Sequence, residues 1–200
     1  MRSVNVVKPA FRFLNSGGVF LFISILAVSW CWDGYAAGGR KAEVLDDLFA
    51  RLKIATDPEM ATSIESAIWV TWLESRIQKI DEHMAAGEWA RKQRLLDESL
   101  EHYNAAIEID SEFAEAYHRR ATVRHWQQDD DGALSDVERT LELEPRHFGA
   151  LVLKGVILEA RNRENAALDL FERALDLNPH IGPVREHANE LARKLDRTGE

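Results

Sequence analysis

His118 and His125 stand seven residues apart, a spacing that brings two imidazoles to one face of a helix, as a shared metal ion would require. No third ligand follows at a matching spacing, so no metal site is expected. Asp129, Asp130 and Asp131 form the kind of acidic run that opens a calcium loop. The next oxygen-ligand position of such a loop holds Ala133, however, and its glycine position holds Leu134. The run therefore reads as an acidic turn between helices. The chain contains no H-E-x-x-H, no C-x-x-C pair and no glycine-rich phosphate loop. Its one cysteine, Cys31, allows neither an intramolecular disulfide nor a thiolate metal cluster. The 34 acidic residues place many carboxylates four apart on solvated faces and single out no acid–base pair. No catalytic residue and no cofactor is expected.

A net charge of -9 and a pI near 5.3 exclude a general electrostatic hold on nucleic acid or anionic lipid. The first forty residues read as an address. Arg2, Lys8 and Arg12 precede an apolar run from Val19 to Trp32, and Gly34-Tyr35-Ala36 supplies small residues at the -3 and -1 positions of a cleavage site. The run is shorter than the roughly 20 residues of a membrane span, so residues 1–36 are expected to be a cleaved signal peptide and the mature chain periplasmic or secreted. The alternative is an inner-membrane anchor over residues 11–32. The bulky Trp30 before Cys31 argues against a lipoprotein signal.

From residue 40 onward, apolar residues recur at three and four positions among Leu, Ala, Glu and Arg, the pattern of an all-α chain. Leu141-Glu142-Leu143-Glu144-Pro145 returns 34 residues later as Leu175-Asp176-Leu177-Asn178-Pro179, and Ile107-Glu108-Ile109-Asp110-Ser111 precedes it by the same 34. Proline ends a helix because it lacks an N–H and disfavours helical geometry in the residue before it. Thr56-Asp57-Pro58 divides residues 37–79 into two helices, with Asp57 as cap. Ile64, Ile68, Trp69 and Trp72 form an apolar stripe on the second, and the pair is expected to cover the exposed end of the first repeat. Pro183 starts a last helix whose apolar face is Val184, Ala188, Leu191, Ala192 and Leu195, a solenoid cap over residues 182–200.

The 34-residue period resembles the tetratricopeptide repeat. Unit 148–181 matches its signature with Gly155, Ala167, Phe171, Ala174 and Pro179. Unit 114–147 keeps Tyr117, Ala121, Ala133 and Pro145, with Val137 and Thr140 in place of the aromatic residue and second alanine. Unit 80–113 keeps Gly87, Tyr103 and Ala106, with His83, Ser99 and Ser111 at the other signature positions. With its signal-like start, two preceding helices and segments such as Arg120-Ala121-Thr122-Val123 and Glu144-Pro145-Arg146-His147-Phe148-Gly149-Ala150-Leu151, the mature chain is also similar to short exported bacterial proteins that carry such repeats.

The resemblance implies a helical solenoid of three helix pairs. Its concave groove, lined by the first helix of each pair, would bind a protein or peptide. At the fifth, ninth and twelfth positions of each unit stand Met84, Glu88 and Arg91, then His118, Thr122 and His125, then Val152, Val156 and Glu159. These are the expected groove residues, suited to an amphipathic helix or extended peptide, with the two histidines titrating near pH 6.5. The set lacks the family's lysine and asparagine clamp for a C-terminal carboxylate, so a chaperone tail is not the expected ligand. The function expected is that of a protein-interaction module or assembly scaffold in the cell envelope, not an enzyme. The alternatives are a self-associating structural protein and an enzyme with an unrecognised site.

Overall fold

Capping and turn chemistry set the breaks between the helices. The computed structural model describes the backbone of residues 26–198 and side chains from 39 to 197. Most of the segment read as a signal peptide lies outside the described residues. Among the described residues there are nine helices and no strand: α1 (Leu26–Ile54), α2 (Pro58–Leu73), α3 (Gln78–Lys92), α4 (Leu96–Ile109), α5 (Ala114–Trp126), α6 (Asp130–Leu143), α7 (Phe148–Ala160), α8 (Glu164–Leu177) and α9 (Gly182–Thr198). None of the helices searched is long and apolar enough to cross a membrane. The chain separates into residues 1–38 and 39–200, and the packing that follows is internal to the second unit.

The three repeats are the pairs α3–α4, α5–α6 and α7–α8. Each turn within a pair is built alike, with Arg94, Gln128 and Asn162 at φ of 64°, 65° and 58°. Beyond them, the Leu95, Asp129 and Arg163 N–H groups each donate to a carbonyl five residues back at 2.9 Å, the long bond of a Schellman helix end. Asp129 then caps α6 by accepting from Gly132 N at 3.0 Å.

Within each pair, a small residue on the first helix meets a side chain of the second. A Cβ added to Gly87 would lie 2.7 Å from the Tyr103 ring, and one added to Gly155 would lie 2.5 Å from the Phe171 ring. The middle pair uses Ala121 and the slimmer Val137, both fully buried. Size is therefore conserved as a sum: glycine where the neighbour is aromatic, alanine where it is valine. Successive pairs are joined by polar bridges. Arg120 reaches Asn104 at 2.7 Å and Asp136 at 2.6 and 2.8 Å, and Lys154 reaches Glu138 at 3.1 Å. α9 packs on α8 with Ala188, Leu191 and Leu195 buried.

The N-terminal pair departs from expectation. It does not cover the end of the first repeat; α1 and α2 lie against the inner wall formed by α5 and α7. Leu45, Leu48, Phe49 and Leu52 of α1 and Ile64, Ile68 and Trp72 of α2 share one apolar cluster with Phe148, Leu151 and Leu158 of α7. Lys41 anchors the end of α2 by donating to the Trp72 and Glu74 carbonyls at 3.3 and 3.1 Å. Arg146 pairs with Asp46, Asn178 donates to Glu65 at 3.0 Å, and His180 donates to the Leu52 carbonyl at 3.0 Å. An apolar stripe requires a dry partner, and the wall of α7, carrying Phe148, Leu151 and Val152, provides one.

Candidate functional site: the inner wall

The nine expected groove residues form three rows across α3, α5 and α7, and the structure treats the rows differently. The first row is covered. Met84 and His118 are buried, and Val152 is half-buried against the cluster that holds α1 and α2. The second row is partly open: Glu88 and Thr122 are half-buried, and Val156 is 39% exposed. The third row, nearest the helix ends, carries Arg91, His125 and Glu159. Arg91 bonds Glu88 through both Nε and Nη2 at 2.7 and 2.6 Å. His125 contacts Asp130 at 2.7 Å, and Glu159 contacts His187 at 2.6 Å.

His118 is covered because Trp69 of α2 lies across it, with ring centroids 5.7 Å apart. Burial, and then the neighbouring His147, push its pKa down to about 4, so it remains neutral well below the ordinary imidazole range. The expected titration of His118 near pH 6.5 is therefore corrected; of the two histidines, His125 alone stays half-exposed.

Beneath Trp69 and Trp72 lies a buried polar cluster in which His118 meets His147 and Glu115, two residues that the sequence reading did not single out. His147 Nδ1 accepts from the Ala150 N–H at 3.1 Å and caps α7, so its Nε2 carries the proton and donates to Glu115 at 2.9 Å. Trp72 stacks on the His147 ring at 4.2 Å and 11°. Arg119 donates to the other oxygen of Glu115 at 2.6 Å. Burial opposes ionisation of Glu115, but the His118 and His147 rings set against it outweigh that and hold the carboxyl well below its ordinary range. Glu115, His118 and His147 bring three ligand atoms within 4.8 Å of one another, a donor set that suits zinc. Two features oppose a metal there: the His147 nitrogen that faces Glu115 carries a proton, and the Arg119 guanidinium already neutralises the carboxylate. The cluster is a structural seat for α2. The 34-residue register carried a signal for it, since His147 occupies the position of Phe113, a core position holding a polar residue.

Where α2 ends, the wall opens into a cavity of about 220 Å³ lined by Leu73, Met84, Glu88, Tyr103 and Arg119. Tyr103 is fully buried and its hydroxyl has no partner among the described residues. Burial, reinforced by the Glu88 charge, pushes its pKa up to about 12, so the group enters as a neutral donor. Met84, inaccessible on the open wall, thus borders a cavity instead.

No family model matches the chain. Over 151 residues it is 34% identical to a TPR repeat-containing protein of Rhizobium etli, a match that covers 76% of this chain and 74% of the relative. The chain belongs to the tetratricopeptide repeat family. Among solved structures, this repeat protein is similar to the first TPR domain of Spaghetti bound to an HSP90 peptide, with a TM-score of 0.56, 21% identity, and coverage of 60% of this chain and 94% of that one. It is also similar to the TPR2B domain of yeast Sti1 in complex with Hsp70, with a TM-score of 0.54, 19% identity, and coverage of 60% and 98%. At such identities the likeness carries the helical-repeat fold alone.

Proposed function

We propose that this tetratricopeptide repeat protein is a protein-interaction module of the cell envelope that holds a peptide or helix along the part of the inner wall left open by α1 and α2. The observation that carries the reading is the open cavity between α3, α4 and α5, bordered by Leu73, Met84 and Glu88 and backed by the unpartnered Tyr103 hydroxyl. Glu88, Arg91, Thr122, His125, Val156 and Glu159 extend that opening along the later turns of the three wall helices, combining apolar area with polar groups that fix register. The Spaghetti and Sti1 domains, whose structures contain HSP90 and Hsp70 ligands, use the same fold for such contacts. Two tests apply. A mature N-terminus near Ala36, read by mass spectrometry of native protein, supports export, whereas a soluble chain that keeps Met1 opposes it. Replacing His125 by alanine and Val156 by glutamate together is expected to weaken capture of a partner found by crosslinking in cells, with helical content unchanged. Full retention of binding sinks the groove reading.

A further inference from the structure

Among the described residues no helix pair stacks on the outer face of the first repeat, and the residues of that face can be compared with those that occupy the same register further on. Lys79, Glu82, Ala86, Trp89 and Gln93 correspond to Phe113, Ala116, Arg120, Val123 and Gln127, and then to His147, Ala150, Lys154, Ile157 and Arg161, at steps of 34 residues. In the second and third repeats this face is covered: Val123 and Ile157 are 0% exposed, as are Ala116 and Ala150. In the first repeat Trp89 is 57% exposed, and Glu82 and Gln93 lie at the surface beside it. A polar cap would place a charged or amide group where Trp89 stands.

We propose that α3 is a self-association surface that pairs antiparallel with α3 of a second copy about a two-fold axis near Ala86. Three observations fix the occupant. Charge along the helix is asymmetric, with Asp81 and Glu82 outweighing Lys79 near its start and Arg91 and Lys92 in its last turn, so an antiparallel copy sets acid against base twice by symmetry. Lys92 keeps 65% of its side chain exposed while lying 3.4 Å from Glu88, and Asp81 accepts only a hydroxyl, from Ser75 at 2.6 Å. At the centre, Ala85 and Ala86 present no bulk, so the helices can approach and each Trp89 can lie beside the Glu82 turn of the other copy. A single helix pair falls below the standard interface size, so dissociation constants of roughly 1 to 100 μM are expected.

The pairing uses the outer side of α3, where Lys92 adjoins the groove residue Glu88, and its failure is told apart from that of the proposed function because it is read by mass and not by partner capture. The test is the mass of the full chain by sedimentation across that concentration range, with thermal melting as a control for folding. The wild type is expected to pass from monomer to dimer, Trp89→Glu to stay monomeric, and Val70→Glu, which changes an exposed apolar residue on α2, to dimerise normally. Asp81→Lys should weaken pairing about tenfold, and adding Lys92→Asp to it should restore most of the loss. A wild type that stays monomeric throughout overturns the proposal, as does a Trp89→Glu chain that dimerises unchanged or a charge swap that restores nothing.

Discussion

In the third repeat, α7 carries α1 and α2 on its inner side, follows α6 in the stack, and has α8 and α9 beyond it. In the first, α3 is built on the same register but shares its core only with α4 and α5. One tryptophan marks each situation: Trp72, buried on the wall of α7, and Trp89, standing out from α3. The difference teaches that a repeat register decides which positions face a neighbour, while the rest of the chain decides whether a neighbour is there.

Trp72→Ala should show the contrast most strongly, costing about 3–5 kcal/mol as a large buried aromatic side chain is lost. Trp89→Ala in dilute solution should stay within about 0.5 kcal/mol. Denaturant unfolding measures both, and equal losses would mean that α2 is not seated on α7. Next comes the polar seat beneath. Glu115→Leu leaves Arg119 without its buried carboxylate, a loss of about 3 kcal/mol. The same cluster gives stability a pH dependence. His118 is held from 6.5 down to about 4, and Glu115 lies well below 4.5. Both groups therefore bind protons more readily when unfolded, so stability held at neutral pH is lost as pH falls from 6.5 toward 4. The melting temperature should drop across that window, and less steeply in the Glu115→Leu variant. The smallest effect sharpens the comparison between repeats. Gly155→Ala should cost about 1–3 kcal/mol by pressing on Phe171, and adding Phe171→Val should remove that added strain, since Ala121 and Val137 already coexist. A double-mutant cycle reads the coupling, and strict additivity would refute the size compensation.

The helix pairs and the last helix were legible because proline, glycine and the aromatic positions recur at 34 residues, and each has a local steric cause. The seat of α1 and α2 was not. Ile64, Ile68 and Trp72 announce a buried face but carry no information about which surface covers it. The burial of His118 follows from that seat and was equally hidden, so His118 and Val152 lost exposure for a reason outside their own helices, whereas Met84 is buried in the core of α3, α4 and α5. His147 could have been flagged by its register, whereas Glu115 falls between Asp81 and Gly149 in the neighbouring units and gave no such sign.

Most contacts in a helical solenoid join residues close in sequence, which lets such chains fold quickly and piecemeal. The seat of α1 and α2 works against this, because Asp46 meets Arg146, Glu65 meets Asn178 and Leu52 meets His180, separations of 100, 113 and 128 residues. These contacts raise the contact order and bind the first helices to the last repeat. A growing chain therefore presents the apolar stripe of Ile64, Ile68 and Trp72 well before its wall exists. That stripe is a part of the nascent protein in need of a temporary cover, because α1 and α2 are made before the repeats and have no wall to dock on until the last repeat has been made.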